Sequence, residues 1–144
     1  MIIFAAEDIS NADPFALVLA NATFEAVDKI GMPEARIILA QTVTYLAAAI
    51  KCNTTYLAID KALNFVRTNK DRTVPNKLKD SHYEGSKNLI NEEYLYPHDH
   101  GGYVKTNYLP DAFKDEKFYQ AKYLGYEKEM IERLEKIKEG KNED

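Results

Sequence analysis

The densest cluster of side chains able to do chemistry is His98-Asp99-His100. Two imidazoles and a carboxylate are ligands that zinc and other divalent cations accept, and alternate residues of an extended segment point the same way. The sequence indicates no complete coordination sphere, because His82 is the sole other histidine and Cys52 the sole cysteine. We therefore predict no metal site.

Nucleophilic and phosphate chemistry have as little support. Cys52 ends a helical segment and has no histidine near it in sequence that would activate its thiol. Adjacent acids, as at Glu7-Asp8 and Glu92-Glu93, are typical of a helix start or a solvated surface. A phosphate-binding loop needs several glycines ahead of Lys and Ser or Thr, and the 6 glycines form no such pattern. We predict no catalytic or cofactor-binding residue and no ATP hydrolysis by this chain alone.

Positive charge is concentrated between residues 61 and 79, where six basic side chains lie close in sequence. Such a segment can bind DNA phosphates. A lysine-rich solvated loop is the simpler interpretation, and the net charge of −4 argues against a nucleic-acid protein. DNA contact stays open as an alternative, and its candidate residues are Lys70, Arg72, Lys77 and Lys79.

These side chains need a folded frame. A chain of 144 residues with 45% hydrophobic and 29% charged residues is typical of one globular domain, which we expect over 1–144. The longest apolar-rich stretch, 37–50, is shorter than the roughly 20 residues that cross a bilayer. A single cysteine favours a reducing, cytoplasmic location.

The first half predicts helices. Asp13-Pro14 is an N-cap followed by proline at the first helical position, and apolar residues then recur at helical spacing over 14–30. Met32-Pro33-Glu34 repeats this start signal, and the helix that follows, up to about Ile50, has almost no polar face. We therefore expect the second helix to be buried at the centre of a bundle.

Two more helices follow from the same signals. Asn53 can cap a third helix that runs to about Thr68, and we expect its apolar stripe to be buried. A final amphipathic helix is predicted over 124–138. The stripe of the third helix consists of Tyr56, Ile59, Leu63 and Val66.

Between these helices the periodicity fails. From Asn69 onward Gly, Pro, Asn and Asp interrupt the chain every few residues, which predicts loops and short helices. The irregular stretch 69–123 also holds seven of the ten tyrosines. Their rings can cover the helices or face a partner, and core packing is the simpler interpretation.

The strings that carry a family resemblance are Ala6-Glu7-Asp8-Ile9, Ala12-Asp13-Pro14, Gly31-Met32-Pro33-Glu34, Leu39-Ala40-Gln41, Tyr45-Leu46-Ala47, Lys51-Cys52-Asn53, Val74-Pro75, Leu78-Lys79-Asp80, Tyr96-Pro97-His98-Asp99, Tyr108-Leu109-Pro110, Gly125 and Glu127. Their order and spacing resemble the C-terminal region of the replication-associated recombination protein A family, also called RarA or MgsA. These are bacterial AAA+ ATPases related to clamp loaders. The resemblance covers about 6–137.

The resemblance implies an all-α helical bundle similar to clamp-loader collar domains, preceded in the full-length protein by an AAA+ ATPase core and lid. ATP and Mg²⁺ would bind that core, not this chain. The full-length protein would be a DNA-dependent ATPase of replication, recombination and repair at stalled forks. Its implied partners are further copies of itself as a homo-tetramer, DNA, and single-strand binding protein, in the cytoplasm at the nucleoid.

We therefore expect this chain to be an oligomerisation domain. Buried aromatic and apolar side chains are typical of subunit interfaces. The contact is expected on the helix over 14–30 or on the helix that ends near Thr68. The candidate interface residues are Phe15, Leu19, Tyr56 and Ile59. The alternative is a DNA- or partner-binding module that uses the basic segment 61–79.

Overall fold

The computed structural model describes residues 1–70, 73–79 and 95–140, and all regular secondary structure in these ranges is helical. The all-α prediction is confirmed. The α-helices are α1 (Ile2–Phe4), α2 (Phe15–Ile30), α3 (Ala35–Ala48), α4 (Thr54–Thr68) and α5 (Tyr126–Lys138). The chain between α1 and α2 forms a π-helical turn (Ala5–Ile9) and a 3₁₀ turn (Ser10–Ala12), and further 3₁₀ turns are Asn76–Leu78, Pro97–His100 and Asp111–Phe113.

Helix α2 begins and ends at the predicted residues. The Asp13 carboxylate accepts the backbone N–H of Phe15 at 3.2 Å, which satisfies a donor of the first turn. At the other end Gly31 adopts φ 71° and donates its N–H to Val27, as glycine does at helix ends because it lacks a Cβ. Local capping signals thus set both ends of this helix.

Helices α2 and α3 pack on each other through small side chains. Ala16 and Ala20 of α2 lie in the core with Leu46 of α3. A short hydrogen bond joins the hydroxyls of Thr23 and Thr42, both buried in the same contact. Small residues let two helix backbones approach closely, so this contact buries few large side chains.

The predicted burial of α3 is wrong for much of its circumference. Ala35, Thr42 and Leu46 are buried, but Ile37 is 62% exposed and Val43 is also at the surface. The reason is that a single inner face packs against α2. The bundle is therefore one-sided, and the continuous apolar character of α3 does not place it at a centre.

The predicted burial of the α4 stripe is also wrong. Thr54 is the buried residue of α4, whereas Tyr56, Ile59, Leu63 and Val66 are all exposed. The helical spacing of the stripe is as predicted. Within the described residues, no other element buries this stripe as a core would.

The chain divides into two compact units. The first comprises Met1–Leu63 with Phe118–Leu134, and the second comprises Asn64–Lys117 with Glu135–Asp144. The first unit thus combines the N-terminal helices with a segment from much later in the sequence. The expectation of one domain over 1–144 stays a prediction.

The described residues between α4 and α5 in the second unit are irregular, as predicted. Short 3₁₀ turns alternate with chain that has no regular secondary structure, and the rings of Phe65 and Phe113 pack edge to face at 4.9 Å. Tyr83, Tyr94 and the acids Glu92-Glu93 lie outside the described residues. No helix among the residues described is long and apolar enough to cross a membrane.

Candidate functional site

The first unit has small side chains inside and large apolar side chains outside. Its core cluster consists mainly of alanines with Ile9 and Leu46. On α2 the large residues Phe15, Val18 and Phe24 are each more than half exposed. Large exposed apolar patches are typical of sites where proteins contact other molecules.

The candidate interface residues are mostly at the surface. Phe15 is 54% exposed and its ring stands edge-on to Tyr45, with centroids 5.7 Å apart. Tyr56 and Ile59 are exposed on α4, while Leu19 is partly buried. Their accessibility fits an interface, and their place in one stays a prediction.

The exposed stripe on the first part of α4 is formed by Tyr56, Ile59 and Leu63. A spacing of three and seven residues puts them on one side of the helix. The negative charge of Asp60 and its hydrogen bond with the phenol raise the pKa of Tyr56, as do the charge of Glu7 and burial. The phenol therefore stays neutral at physiological pH and can be covered without burying a charge.

An apolar groove that the sequence analysis did not predict lies beside the core of the first unit. It has a volume of about 340 Å³ and is open to solvent. Its walls come from the first turn of the chain, from α2 and from α3. The lining residues are Met1, Ile2, Ile3, Ala20, Thr23, Phe24, Val27 and Leu39.

Two of the four candidate DNA contacts have side chains that the structure describes. Lys70 and Lys79 are exposed, and the Lys79 ammonium donates to Asn76 Oδ1 at 2.7 Å. Arg72 and the side chain of Lys77 lie outside what the structure describes. DNA contact by this segment stays a prediction.

The histidine cluster has a geometry that differs from the extended segment first considered. His98 and His100 lie on the 3₁₀ turn Pro97–His100, where residues two apart point in different directions. The His98 ring packs against Tyr96 at 5.1 Å. In the described ranges, no group of three or more His, Cys, Asp or Glu side chains is placed to hold a metal ion.

The most elaborate polar site is a buried carboxylate, Glu127, at the start of α5. Its exposed fraction is 0%. Oε1 accepts hydrogen bonds from the hydroxyls of Thr54 and Tyr119, each at 2.5 Å. Oε2 accepts the backbone N–H groups of Lys122 and Tyr123, each at 2.8 Å. Both carboxylate oxygens are thus satisfied by donors from three parts of the chain.

The hydrogen bonds decide the ionisation of this group. Burial alone raises the pKa of Glu127, but the four hydrogen bonds that the carboxylate accepts outweigh burial and lower the pKa below its ordinary value of 4.5. Glu127 is therefore ionised at neutral pH. Burial, and then the hydrogen bond with Glu127, raise the pKa of Tyr119, so its hydroxyl remains a donor.

Further polar contacts surround this carboxylate. Asn11 donates to the Tyr119 hydroxyl at 3.1 Å, and the Lys122 ammonium donates to Asn53 Oδ1 at 2.5 Å. The thiol of Cys52 lies 3.9 Å from Glu127 Oε1 in the same buried region. Within the described residues, no buried side-chain nitrogen or oxygen lacks a hydrogen-bond partner.

We expect a pH dependence from Glu127. A folded-state pKa below the unfolded value contributes stability that is present above the unfolded pKa and is lost as pH falls through the folded pKa. Urea unfolding measured from pH 7 to pH 3 should therefore show a steeper loss of free energy for the wild type than for Glu127→Gln. Glu129→Gln, on an exposed position of the same helix, should follow the wild type. Parallel profiles for the wild type and Glu127→Gln would contradict the assignment.

The sequence analysis did not single out Glu127 as a buried site. In an amphipathic helix an acid in the first turn is usually solvated. One indication of a special position was present in the sequence, because Glu127 and Gly125 are both among the residues that carry the family resemblance. In the structure Gly125 lies against the backbone of Ala12.

The structure defines an all-helical domain whose large apolar side chains are mostly exposed and whose buried polar site has its hydrogen bonds satisfied. Residues 1–138 match the family model of the MgsA AAA+ ATPase C-terminal region. The chain belongs to this family, which confirms the resemblance.

Individual relatives agree with the family model. An uncharacterized protein of Thermotoga maritima is 43% identical over 137 residues, which are 95% of this chain and 22% of that protein. Replication-associated recombination protein A of Bacillus subtilis is 39% identical over 127 residues, 87% of this chain and 30% of that protein. The Escherichia coli protein of the same name is 32% identical over 133 residues, 90% and 30% respectively. The chain spans less than a third of the length of these relatives.

Proposed function

We propose that this chain is the self-association domain of a AAA+ ATPase that acts in replication-associated recombination. The observation that carries the proposal is the exposure of large apolar side chains on a unit whose own core is built from small ones. The family and the names of the relatives support the cellular process. Association would remove this apolar surface from water, at about 25 cal/mol for each Å² buried.

The role of such a domain is to hold ATPase modules together. In the full-length protein, which we propose is a DNA-dependent ATPase, ATP and Mg²⁺ would bind upstream of this chain, and this chain would not hydrolyse ATP. We propose a homo-tetramer in the cytoplasm, with DNA and single-strand binding protein as partners of the whole protein. Closed symmetric assemblies are the usual form of soluble homo-oligomers.

The stripe on α4 offers the sharpest place to test association. Ile59 lies in the middle of the stripe and is 54% exposed. A lysine there costs little in the monomer, because its ammonium is in water. In an interface the same ammonium would lose its hydration, which is expensive unless it is paired. We expect Ile59→Lys to weaken self-association by about 100-fold or more, equivalent to about 2.8 kcal/mol.

Light scattering on a sizing column over a range of concentrations measures the effect. A monomer has a mass of 16.4 kDa and a tetramer four times that mass, about 66 kDa. The matched control is Asn64→Lys, which adds the same charge to an exposed position on another side of α4. A wild type that stays monomeric at every concentration contradicts self-association by this chain alone. An oligomer that Ile59→Lys does not weaken places the contact on another face.

A further inference from the structure

The segment Phe118–Leu134 belongs to the first compact unit, although more than fifty residues separate it from the end of that unit's N-terminal part. Its apolar side chains are at most partly buried. Phe118, Met130 and Ile131 are half-buried, while Leu124, Tyr126 and Leu134 are exposed. Glu127 is the buried residue of α5, and the core cluster of the unit includes no side chain of this segment.

Buried polar contacts attach the segment to the body. Tyr119 bonds to Asn11, and the Glu127 carboxylate bonds to Thr54 at the start of α4. The same carboxylate binds the backbone of its own turn through Lys122 and Tyr123. One side chain therefore both shapes the segment and attaches it to the body.

We propose that residues 118–134 form a C-terminal strap that opens from the helical body as a unit, and that the Glu127 carboxylate is the latch that holds it closed. Proteins open locally in cooperative units whose free energies lie below that of global unfolding. The segment is such a unit because its polar contacts with the body are few and lie close together, from Thr54 to Glu127, from Asn11 to Tyr119 and from Lys122 to Asn53. This inference does not depend on self-association.

Opening should also unfold the strap. Isolated helices shorter than about 12–15 residues are marginal in water. Helix α5 spans Tyr126–Lys138, which is 13 residues. Its amide hydrogens should therefore exchange with solvent when the strap leaves the body, and opening would uncover Thr54 and the thiol of Cys52.

Hydrogen exchange measured by mass spectrometry tests the proposal on the full chain. In Glu127→Gln we expect the α5 amides of residues 130–134 to exchange about tenfold faster or more, since each 1.4 kcal/mol of lost attachment is a factor of ten. In the wild type the protected amides of α5 should already exchange through an opening of lower free energy than that of the α2 and α3 amides, because the strap opens before the body unfolds. Lys122 and Tyr123 are not scored, because their amides bond directly to the substituted side chain.

Two further variants keep the test decisive. Tyr119→Phe removes one hydroxyl and should accelerate the same α5 amides by a smaller factor, even if Glu127→Gln folds poorly. Glu129→Gln should leave them unchanged. The proposal is overturned if the protected amides of α2, α3 and α5 have equal opening free energies in the wild type, because the segment would then open only with the whole unit and no separate strap would exist. Unchanged α5 rates in both Glu127→Gln and Tyr119→Phe overturn it as well.

Discussion

Replacing Gly125 with alanine is expected to lower the free energy of unfolding by about 3 kcal/mol or more, since two independent costs add. A Cβ built on Gly125 would lie 2.2 Å from the carbonyl oxygen of Ala12, a backbone atom that cannot turn aside. Gly125 also has φ +54°, a conformation that costs other residues about 1–2 kcal/mol. The turn that precedes α5 would therefore have to move away from the N-terminal turns.

Gly140 provides a matched control for this prediction. It has φ +74°, but a Cβ there would meet nothing within 4 Å. Gly140→Ala should therefore lower the free energy of unfolding only by the cost of the positive φ, about 1 kcal/mol. Urea unfolding at pH 7 of both variants separates the two costs. Equal losses in the two variants would mean that Gly125 does not contact Ala12 as closely as described.

The elements of the first half could be predicted because their signals are local. Asp13 and Pro14 start α2, and Gly31 ends it, through contacts with neighbours in sequence. The α4 stripe likewise has the spacing read from the sequence. Periodicity identifies an apolar face without identifying what covers that face. For Ile59 the interpretation as core was wrong for this reason, since the same spacing suits a surface that another molecule covers.

The buried carboxylate could not be predicted from such signals. Glu127 is buried because a turn near the end of the chain docks against α4, and its partner Thr54 is 73 residues away. Neither the residue types nor their local spacing predicts a contact between residues so far apart in the sequence. Gly125 and Glu127 act on the same contact. Gly125 lets the turn before α5 approach the backbone of Ala12, and Glu127 holds that turn in place through its hydrogen bond with Thr54.

Glu127→Ala is expected to destabilise the protein about as much as Gly125→Ala, by about 3 kcal/mol, because it leaves four donors without their acceptor. Each buried donor left unsatisfied costs about 1–3 kcal/mol, and water that enters the space left by the side chain offsets part of the sum. Glu129→Ala, on the exposed side of α5, should change the stability by less than about 0.5 kcal/mol. A loss below about 1 kcal/mol for Glu127→Ala would show that water replaces the carboxylate at little cost.

A double-mutant cycle with Thr54 separates the hydrogen bond from the rest of that loss. Thr54→Val removes the hydroxyl while keeping the shape of the side chain, and it should cost about 1–3 kcal/mol because the buried carboxylate then lacks one charge-assisted hydrogen bond. Once Glu127 is alanine, the Thr54 hydroxyl has lost its strongest acceptor, so the same substitution should cost much less. The double variant should therefore lose less free energy of unfolding than the sum of the two single variants, by about 1 kcal/mol or more. Additive losses would mean that the 2.5 Å contact contributes nothing to stability. The polar attachment of the strap would then depend on the contacts of Tyr119 with Asn11 and of Lys122 with Asn53.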